Sequence, residues 1–461
     1  MSHNHRYYFI FIASVAALAG ILFGFDTGVI SGAILFINQH FQLSHELTSV
    51  VVSMVLLGAL LGAFFSGRVT DIYGRKYMLL FDALLFIVGT LITAFATTVT
   101  ILIIGRLLVG IAIGIASYTA PIYIAEISPA EHRGALVSLN QLSVTLGIFM
   151  SYIVDYCFSF MTHDQWRWML GFGVIPATIL FLGVLTLPFS PRWLVYKGRM
   201  ELALTTLMRI RYGQTNDVRA ELKNIEQSIS HEHHSWKSLF SKKIRPTFYI
   251  AAGLAVIQQI TGINTILYYA PTIFKMAGFA QSSGAILATM GVGAVFVLST
   301  IAAIPFVDRL GRKPLLYTGM VIMAIGLAIL SWSFHGNLLQ SKTVITLAIA
   351  SMMVYIIGFG ISLGPIMWLT IAEIFPLSVR GLGSSLATCV NWGSNWLVAI
   401  TFLGLIDLFN ASGTFLIYCV ITLLSLIFIY AYVPETKGTS LEQIEANLYR
   451  GLPARELGRK N

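Results

Sequence analysis

Gln258, Gln259 and Asn264 stand close together in a strongly apolar stretch, with Tyr268 and Tyr269 one helical turn further on. A carboxamide both donates and accepts hydrogen bonds, and an aromatic ring offers an apolar face beside it. Uncharged polar side chains inside a membrane segment need partners, so this cluster is expected to face a central cavity, where it suits a neutral polar ligand. The alternative use of buried amides is hydrogen bonding between helices. A second constellation is charged. Asp26 lies deep in one apolar run and Arg106 in another, and both are costly in a bilayer unless paired or facing water. Burial and a neighbouring arginine act in opposite senses on an aspartate's hold on its proton. A cavity that opens and closes beside the pair therefore makes a proton switch; the plainer reading is a static ion pair that fixes helix packing. Neither constellation forms a nucleophile–base pair or a metal set, so the chain is not read as an enzyme.

The elements that must position these residues are helices in a membrane. The chain is 56% hydrophobic and 11% charged, the latter about half the usual share for a soluble domain. A hydrocarbon core of about 30 Å needs roughly 20 apolar residues per helix. Twelve such stretches are expected, at 8–37, 47–68, 77–97, 100–124, 134–157, 167–188, 247–275, 283–307, 314–335, 344–371, 380–405 and 411–433. The ten-residue alternation of a β-barrel is absent. The fold class expected is an all-α membrane protein of two six-helix bundles, 1–188 and 247–433. A linker (189–246) with short helices joins them, and a tail (434–461) follows.

The net charge of +9 is a topology signal, and no nucleic-acid partner is expected. Arginines and lysines gather in alternate loops, around Arg75, Arg133, Arg199–Arg245, Arg312 and Arg380, on the side shared by both tails; the other loops hold little beyond Arg167, Lys275 and Lys342. By the positive-inside rule both termini are cytoplasmic. A signal peptide at the N-terminus is disfavoured because the apolar run continues into Asp26 without a cleavage site. Cys157, Cys389 and Cys419 all fall in apolar segments, which gives neither a disulfide framework nor metal spacing. His231, His233 and His234 resemble a metal tract but sit in a polar linker and are read as solvated. In that linker Val218, Leu222, Ile225 and Ile229 line one helical face. In the tail, Ser440 and Gln443 form a capping box ahead of the stripe Leu441, Ile444, Leu448.

The two halves repeat one another. VGIAIGIASYTAPIYIAEISPAEHRG (Val109–Gly134) returns as IGFGISLGPIMWLTIAEIFPLSVRG (Ile357–Gly381), and TDIYGRK (Thr70–Lys76) returns as VDRLGRK (Val307–Lys313). Glu126 thus matches Glu373, Arg133 matches Arg380, Asp71 matches Asp308 and Arg75 matches Arg312. Duplicated halves in so apolar a chain point to a transporter whose halves rock about a central site.

Over almost its whole length the chain resembles the sugar porters of the major facilitator superfamily. The phrases that carry this are GFDTGVISG (Gly24–Gly32), DIYGRK, GRLLVGIAIG (Gly105–Gly114), RGALVSLNQL (Arg133–Leu142), SPRWL (Ser190–Leu194), QQITGINTILYYAP (Gln258–Pro271), DRLGRK, AEIFPLSVRG and PETKG (Pro434–Gly438). The nearest resemblance is to bacterial proton-coupled xylose and galactose symporters, then to the facilitative glucose transporters. It implies alternating access about a mid-membrane sugar site, in a protein of the cytoplasmic (inner) membrane that works as a monomer, with the proton gradient as energy source and no cofactor. By family position, Gln141, Trp368 and Asn391 join Gln258, Gln259, Asn264 and Tyr268 in the sugar pocket, with Phe23 and Trp392 as walls. Trp368 follows Gly364 and Pro365, which are expected to interrupt the helix and let the indole act as a lid. Asp26 is implied as the proton carrier and Arg106 as its counter-charge. In the outward-facing state Arg75, Glu126, Arg133, Arg312, Glu373 and Arg380 are expected to form a cytoplasmic gate of ion pairs between the halves that inward opening breaks, so that Glu126→Gln or Glu373→Gln biases the protein inward.

Some positions depart from the family pattern. Ala294 stands near the usual span-eight asparagine, and Ile148 stands where the xylose symporter has glutamine and glucose facilitators have isoleucine, which leans toward a hexose. Ile72 and Phe189 replace a basic residue and a glutamate of the family phrases. The competing functions are a proton-independent facilitator, which Asp26 argues against, and a non-transporting sugar sensor, which the short tail argues against. The choice among xylose, glucose and galactose is left open.

Overall fold

The computed structural model describes residues 8–129, 133–211, 215–230, 236–335, 342–376, 379–439 and 441–459. The histidine tract His231, His233 and His234 and the capping residue Ser440 fall outside the described residues.

The N-terminal half comprises α1 (Tyr8–Phe41), α2 (His45–Tyr73), α3 (Arg75–Ala94), α4 (Val99–Ile127), α5 (Arg133–Phe158) and a span made of α6 (Gln165–Gly171) and α7 (Val174–Thr186). Four short helices follow: α8 (Pro191–Tyr196), α9 (Met200–Ile210), α10 (Thr215–Ser230) and α11 (Trp236–Leu239). The C-terminal half comprises α12 (Arg245–Ile260), α13 (Ile263–Met276), α14 (Ser282–Leu310), α15 (Arg312–Ser333), α16 (Lys342–Ile361), α17 (Leu363–Ile374) and α18 (Arg380–Tyr432), and α19 (Leu441–Tyr449) lies in the tail. Eleven stretches among the described residues are long and apolar enough to cross a membrane. The last, α18, is two helices joined at Asn410, where φ is 53° and ψ 177°, so twelve spans result.

Local sequence sets the boundaries. Ser44 and Thr98 cap α2 and α4, each accepting a backbone N–H at 3.3 Å, and Ser190 caps α8 with Pro191 just inside it; these hydroxyls satisfy donors a helix start leaves open. Gly74 and Gly311, at the same place in the two GRK motifs, turn the chain at φ 91° and 99°, a backbone region that side chains strongly disfavour. The repeated sequence thus becomes a repeated α2–α3 and α14–α15 corner.

Within each half, small residues let helices meet backbone to backbone. Gly24, Gly28 and Gly32, one per turn of α1, face Val144, Ser151 and Asp155 of α5, where a Cβ would collide with the neighbour; close packing of this kind is what holds helices together in lipid. Two antiparallel seams join the halves. Along the first, α2 runs against α18, with His45 opposite Asp407, Leu60 facing Gly393 and Gly67 facing Ser385. Along the second, α5 runs against α14, with Tyr152 and Phe149 seated on Gly293.

Candidate functional site at the centre of the bundle

The span that carries the amides is broken where its sequence contains Thr261-Gly262. Gly262 takes φ 93°, which ends α12 and starts α13. The break is buttressed: Tyr355 Oη donates to the Thr261 carbonyl at 3.0 Å. Gln258 and Gln259 lie on the last turn of α12 and Asn264 on the first turn of α13, so the break gathers all three at one level.

Asn391 of α18 completes a closed network with them. Asn264 Nδ2 donates to Gln259 Oε1 at 2.7 Å, and Gln259 Nε2 donates to Gln258 Oε1 at 3.1 Å and to Asn391 Oδ1 at 3.2 Å. Asn391 Nδ2 donates to Gln258 Oε1 at 2.8 Å and to the Ala255 carbonyl at 3.2 Å, and Gln258 Nε2 reaches the Leu363 carbonyl at 2.9 Å. Gln258, Gln259 and Asn391 are each buried while Asn264 is half-buried. A ligand that exchanges these mutual bonds for its own hydroxyls loses little, because each amide keeps its donor and acceptor count.

Of the other expected pocket residues, Phe23 of α1 and Trp392 of α18 meet across the two halves, ring centroids 5.1 Å apart, and Trp392 Nε1 points to Ser117 Oγ of α4 at 3.4 Å. Tyr268 is buried on α13, its hydroxyl 3.2 Å from Asn395 Nδ2. Trp368 is half-buried on α17 and Gln141 half-buried on α5, outside the hydrogen-bonded cluster. The helix break ahead of Trp368 lies at Ser362 (φ −126°, ψ −99°), before Gly364 and Pro365. Pro365 sits in the first turn of α17, where its missing N–H breaks no helical bond.

Asp26 of α1 and Arg106 of α4 form an ion pair, Oδ1 to Nη1 at 2.5 Å, with both side chains almost wholly buried. A cavity of about 10 Å³, room for one water, lies between Asp26, Thr27, Tyr268 and Trp392, so Asp26 shares a cavity with Tyr268 of the amide-bearing span and with Trp392, the chain neighbour of Asn391. Two more buried carboxylates escaped the sequence reading. Asp155 of α5 accepts the Gly32 N–H at 3.1 Å, and neither oxygen of Asp82 on α3 is hydrogen-bonded among the described residues. Their signal was available: each is an acid inside an apolar run.

At the end of the bundle that carries the linker and tail, the repeated motifs build repeated clusters. Arg75 Nη2 lies 2.9 Å from Glu126 Oε1, and Ser190 Oγ donates to the same carboxylate. Arg312 Nη2 lies 2.7 Å from Glu373 Oε1, and Thr436 Oγ1 donates to Glu373 Oε2 at 2.5 Å. Pairs between halves are expected of the outward-facing state; each of these two pairs lies inside one half, tying helix ends to the linker on one side and to the tail on the other. The reason is reach. The arginine starts the helix next to the one the glutamate ends. Arg380 turns to the Phe375 carbonyl at 3.2 Å, and the Arg133 side chain lies outside the described residues. Ser190, Thr436 and Glu435 went unassigned in the sequence, although SPRWL and PETKG contain them. Glu435 accepts the N–H groups of Arg312 and Lys313 at 3.1 and 2.9 Å, capping α15. Its counterpart Phe189 instead stacks on Trp193 and meets Tyr77 edge-on, with Lys76 above its ring.

Comparison with known proteins places this geometry. The family described as "Sugar (and other) transporter" matches residues 12–448. A D-xylose transporter of Levilactobacillus brevis is 43% identical over 440 residues, covering 95% of each chain. The galactose-proton symporter of Escherichia coli K12 is 41% identical over 450 residues, covering 97% of this chain and 96% of its own. Among solved structures, the partially occluded inward open conformation of the xylose transporter XylE from E. coli superposes with a TM-score of 0.83 at 31% identity, covering 94% of this chain and 99% of that one. XylE bound to 6-bromo-6-deoxy-D-glucose, described as a major facilitator superfamily proton:xylose symporter, gives 0.80 at 32%, covering 96% and 99%. The fold is the major facilitator fold, and this multi-pass membrane protein belongs to the sugar transporter family.

Proposed function

We propose that the protein imports a monosaccharide together with a proton by alternating access. The observation that carries this is that Asp26, paired with Arg106, lines a cavity with Tyr268 and Trp392, the latter next in the chain to Asn391 of the amide network. Sugar hydroxyls replace the mutual bonds of Gln258, Gln259, Asn264 and Asn391, the Phe23–Trp392 contact walls the ring, and Trp368 and Gln141 approach from the remaining sides. Asp26 carries the proton and Arg106 is its counter-charge when the proton has left. Relatives named for D-xylose, galactose–proton and arabinose–proton transport support this substrate class.

The end with the linker and tail is assigned to the cytoplasm of a bacterial inner membrane, in line with the arginine distribution. The bundles 1–188 and 247–433, linker 189–246 and tail 434–461 act as a monomer, the two bundles rocking about the α2–α18 and α5–α14 seams. The Arg75–Glu126 and Arg312–Glu373 pairs, each within one half at the cytoplasmic end, together with the His45–Asp407 contact between halves at the far end, fit a state closed to the outside.

The drive is sufficient. One charge crossing 100 mV releases about 2.3 kcal/mol, enough for roughly fifty-fold accumulation. The test is Asp26→Asn in proteoliposomes. Exchange of labelled sugar that survives while uphill accumulation is lost supports the carrier role. Retained accumulation returns the pair to a packing role and favours the facilitator reading.

A further inference from the structure

The broken span α12–α13 is held by two tyrosines, one from each half. Tyr355 of α16, in the same half, donates to the Thr261 carbonyl at the break. Tyr152 of α5, in the opposite half, donates to the Leu267 carbonyl at 3.1 Å, and this bond is buried. Leu267 lies four residues before Pro271, which falls inside α13. A proline has no N–H to return to that carbonyl, and its ring crowds the carbonyl out of line. The Tyr152 hydroxyl takes the place of the missing N–H. The ring itself has little freedom: Tyr152 is fully buried, and it fills space that a Cβ on Gly28 of α1 or on Gly293 of α14 would need. The contact lies on the far side of the amides from the linker, since Tyr152 is in the last two turns of α5 and Leu267 follows Asn264 along α13.

We propose that Tyr152 is a positioning residue for alternating access: its hydroxyl fastens α13 to the N-terminal half while the protein is closed to the outside, and outward opening has to break that bond. This rests on the alternating-access reading above, and not on proton coupling. The Tyr355 bond stays within the C-terminal half, so it survives any rocking of one half against the other. The Tyr152 bond crosses the halves and cannot survive it. In the closed state the Leu267 carbonyl is buried and would be costly without a partner, whereas in an outward-open cavity water hydrates it. The bond therefore favours closure. It is the buried fastener of the α5–α14 seam, as His45–Asp407 is the exposed one of the α2–α18 seam, and exposed ion pairs contribute little.

The experiment measures the outer separation of the halves by spin-label distances in the full chain, in lipid bilayers without sugar. Labels go on Glu46→Cys of α2 and Leu408→Cys of α18, both exposed, with Cys157→Ser removing the exposed native thiol. Tyr152→Phe keeps the ring between its two glycines and removes only the hydroxyl. It is expected to raise the ratio of open to closed outer ends about tenfold, the scale of a buried carbonyl left unpaired. Pro271→Ala returns a helical N–H to the Leu267 carbonyl, so it should raise the ratio by itself, and Tyr152→Phe in that background should change the ratio by less than about threefold. A ratio at the wild-type value in Tyr152→Phe or in Pro271→Ala, or an undiminished effect of Tyr152→Phe in the Pro271→Ala background, would each overturn the inference. Wild-type protein that admits no labelled D-xylose or D-galactose to proteoliposomes would overturn the functional reading instead, a failure that the distances do not share.

Discussion

Arg106 holds the Asp26 carboxylate with one nitrogen only: Nη1 lies 2.5 Å from Oδ1, while Nε and Nη2 have no hydrogen-bond partner among the described residues. A bidentate fork would lock the carboxylate. A single bond leaves it free to turn toward the cavity that it lines with Tyr268 and Trp392. The pair therefore has the form of a releasable contact.

Because the contact is a single one, Arg106→Lys is expected to retain measurable coupled transport, whereas Arg106→Leu strands a buried carboxylate. Removing one partner of a buried pair costs about 3–5 kcal/mol, so the Leu variant should show a lower unfolding temperature and lose uphill uptake. Thermal unfolding in detergent and accumulation in vesicles check both. Equal behaviour of Lys and Leu would show that the positive charge is dispensable.

Gln259 bonds three neighbours, Gln258, Asn264 and Asn391, and is the hub of the amide network. At about 0.5–1.5 kcal/mol per bond, Gln259→Ala should weaken equilibrium sugar binding roughly ten- to thousand-fold, more than Asn264→Ala does. Binding of labelled D-xylose or D-galactose to purified protein measures the order, and a smaller effect at Gln259 than at Asn264 would contradict its place as hub.

At the linker and tail end the halves differ in one respect. Glu435 caps α15 in the C-terminal half, whereas Phe189 leaves α3 without such a cap. Glu126→Gln should therefore cost more stability than Glu373→Gln, with the larger loss about 1–3 kcal/mol. Unfolding of the two variants side by side tests this. The reverse order would mean that the aromatic stack of Phe189 on Trp193 braces its half better than the carboxylate does.

On α1, Gly28→Leu should abolish folding of the N-terminal bundle. Even a Cβ there meets the Ser151 hydroxyl, and the helices have no room to part without losing the Gly24 and Gly32 contacts as well. Expression of monodisperse protein is the readout, and a well-behaved Leu variant would show that the α1–α5 contact is adjustable.

Much of this was legible in the sequence because the chemistry is local or duplicated. The repeated motifs announced two matching halves, and intramembrane polarity singled out Gln258, Gln259, Asn264, Asp26 and Arg106. What sequence could not supply was reach. Whether Glu126 and Glu373 bond within or across halves depends on how far Arg75 and Arg312 extend from their helix starts, which no periodicity encodes. Asn395 was hidden because a single amide one turn after Asn391 looks like packing until its partner Tyr268, far away in the chain, is placed beside it. The break at Ser362 was misplaced for a related reason: Pro365 suggests a break, but a proline fits the first turn of a helix.

The central claim is that sugar and proton move together. The most direct measurement is the pH outside proteoliposomes as D-xylose, D-galactose or D-glucose is added to wild-type protein and to Asp26→Asn. Symport predicts that the medium turns alkaline with the transported sugar in wild type and stays flat in the variant, although labelled sugar still exchanges in both. Uptake of labelled sugar by wild type with no movement of protons would contradict the account and leave Asp26 and Arg106 as a fixed ion pair.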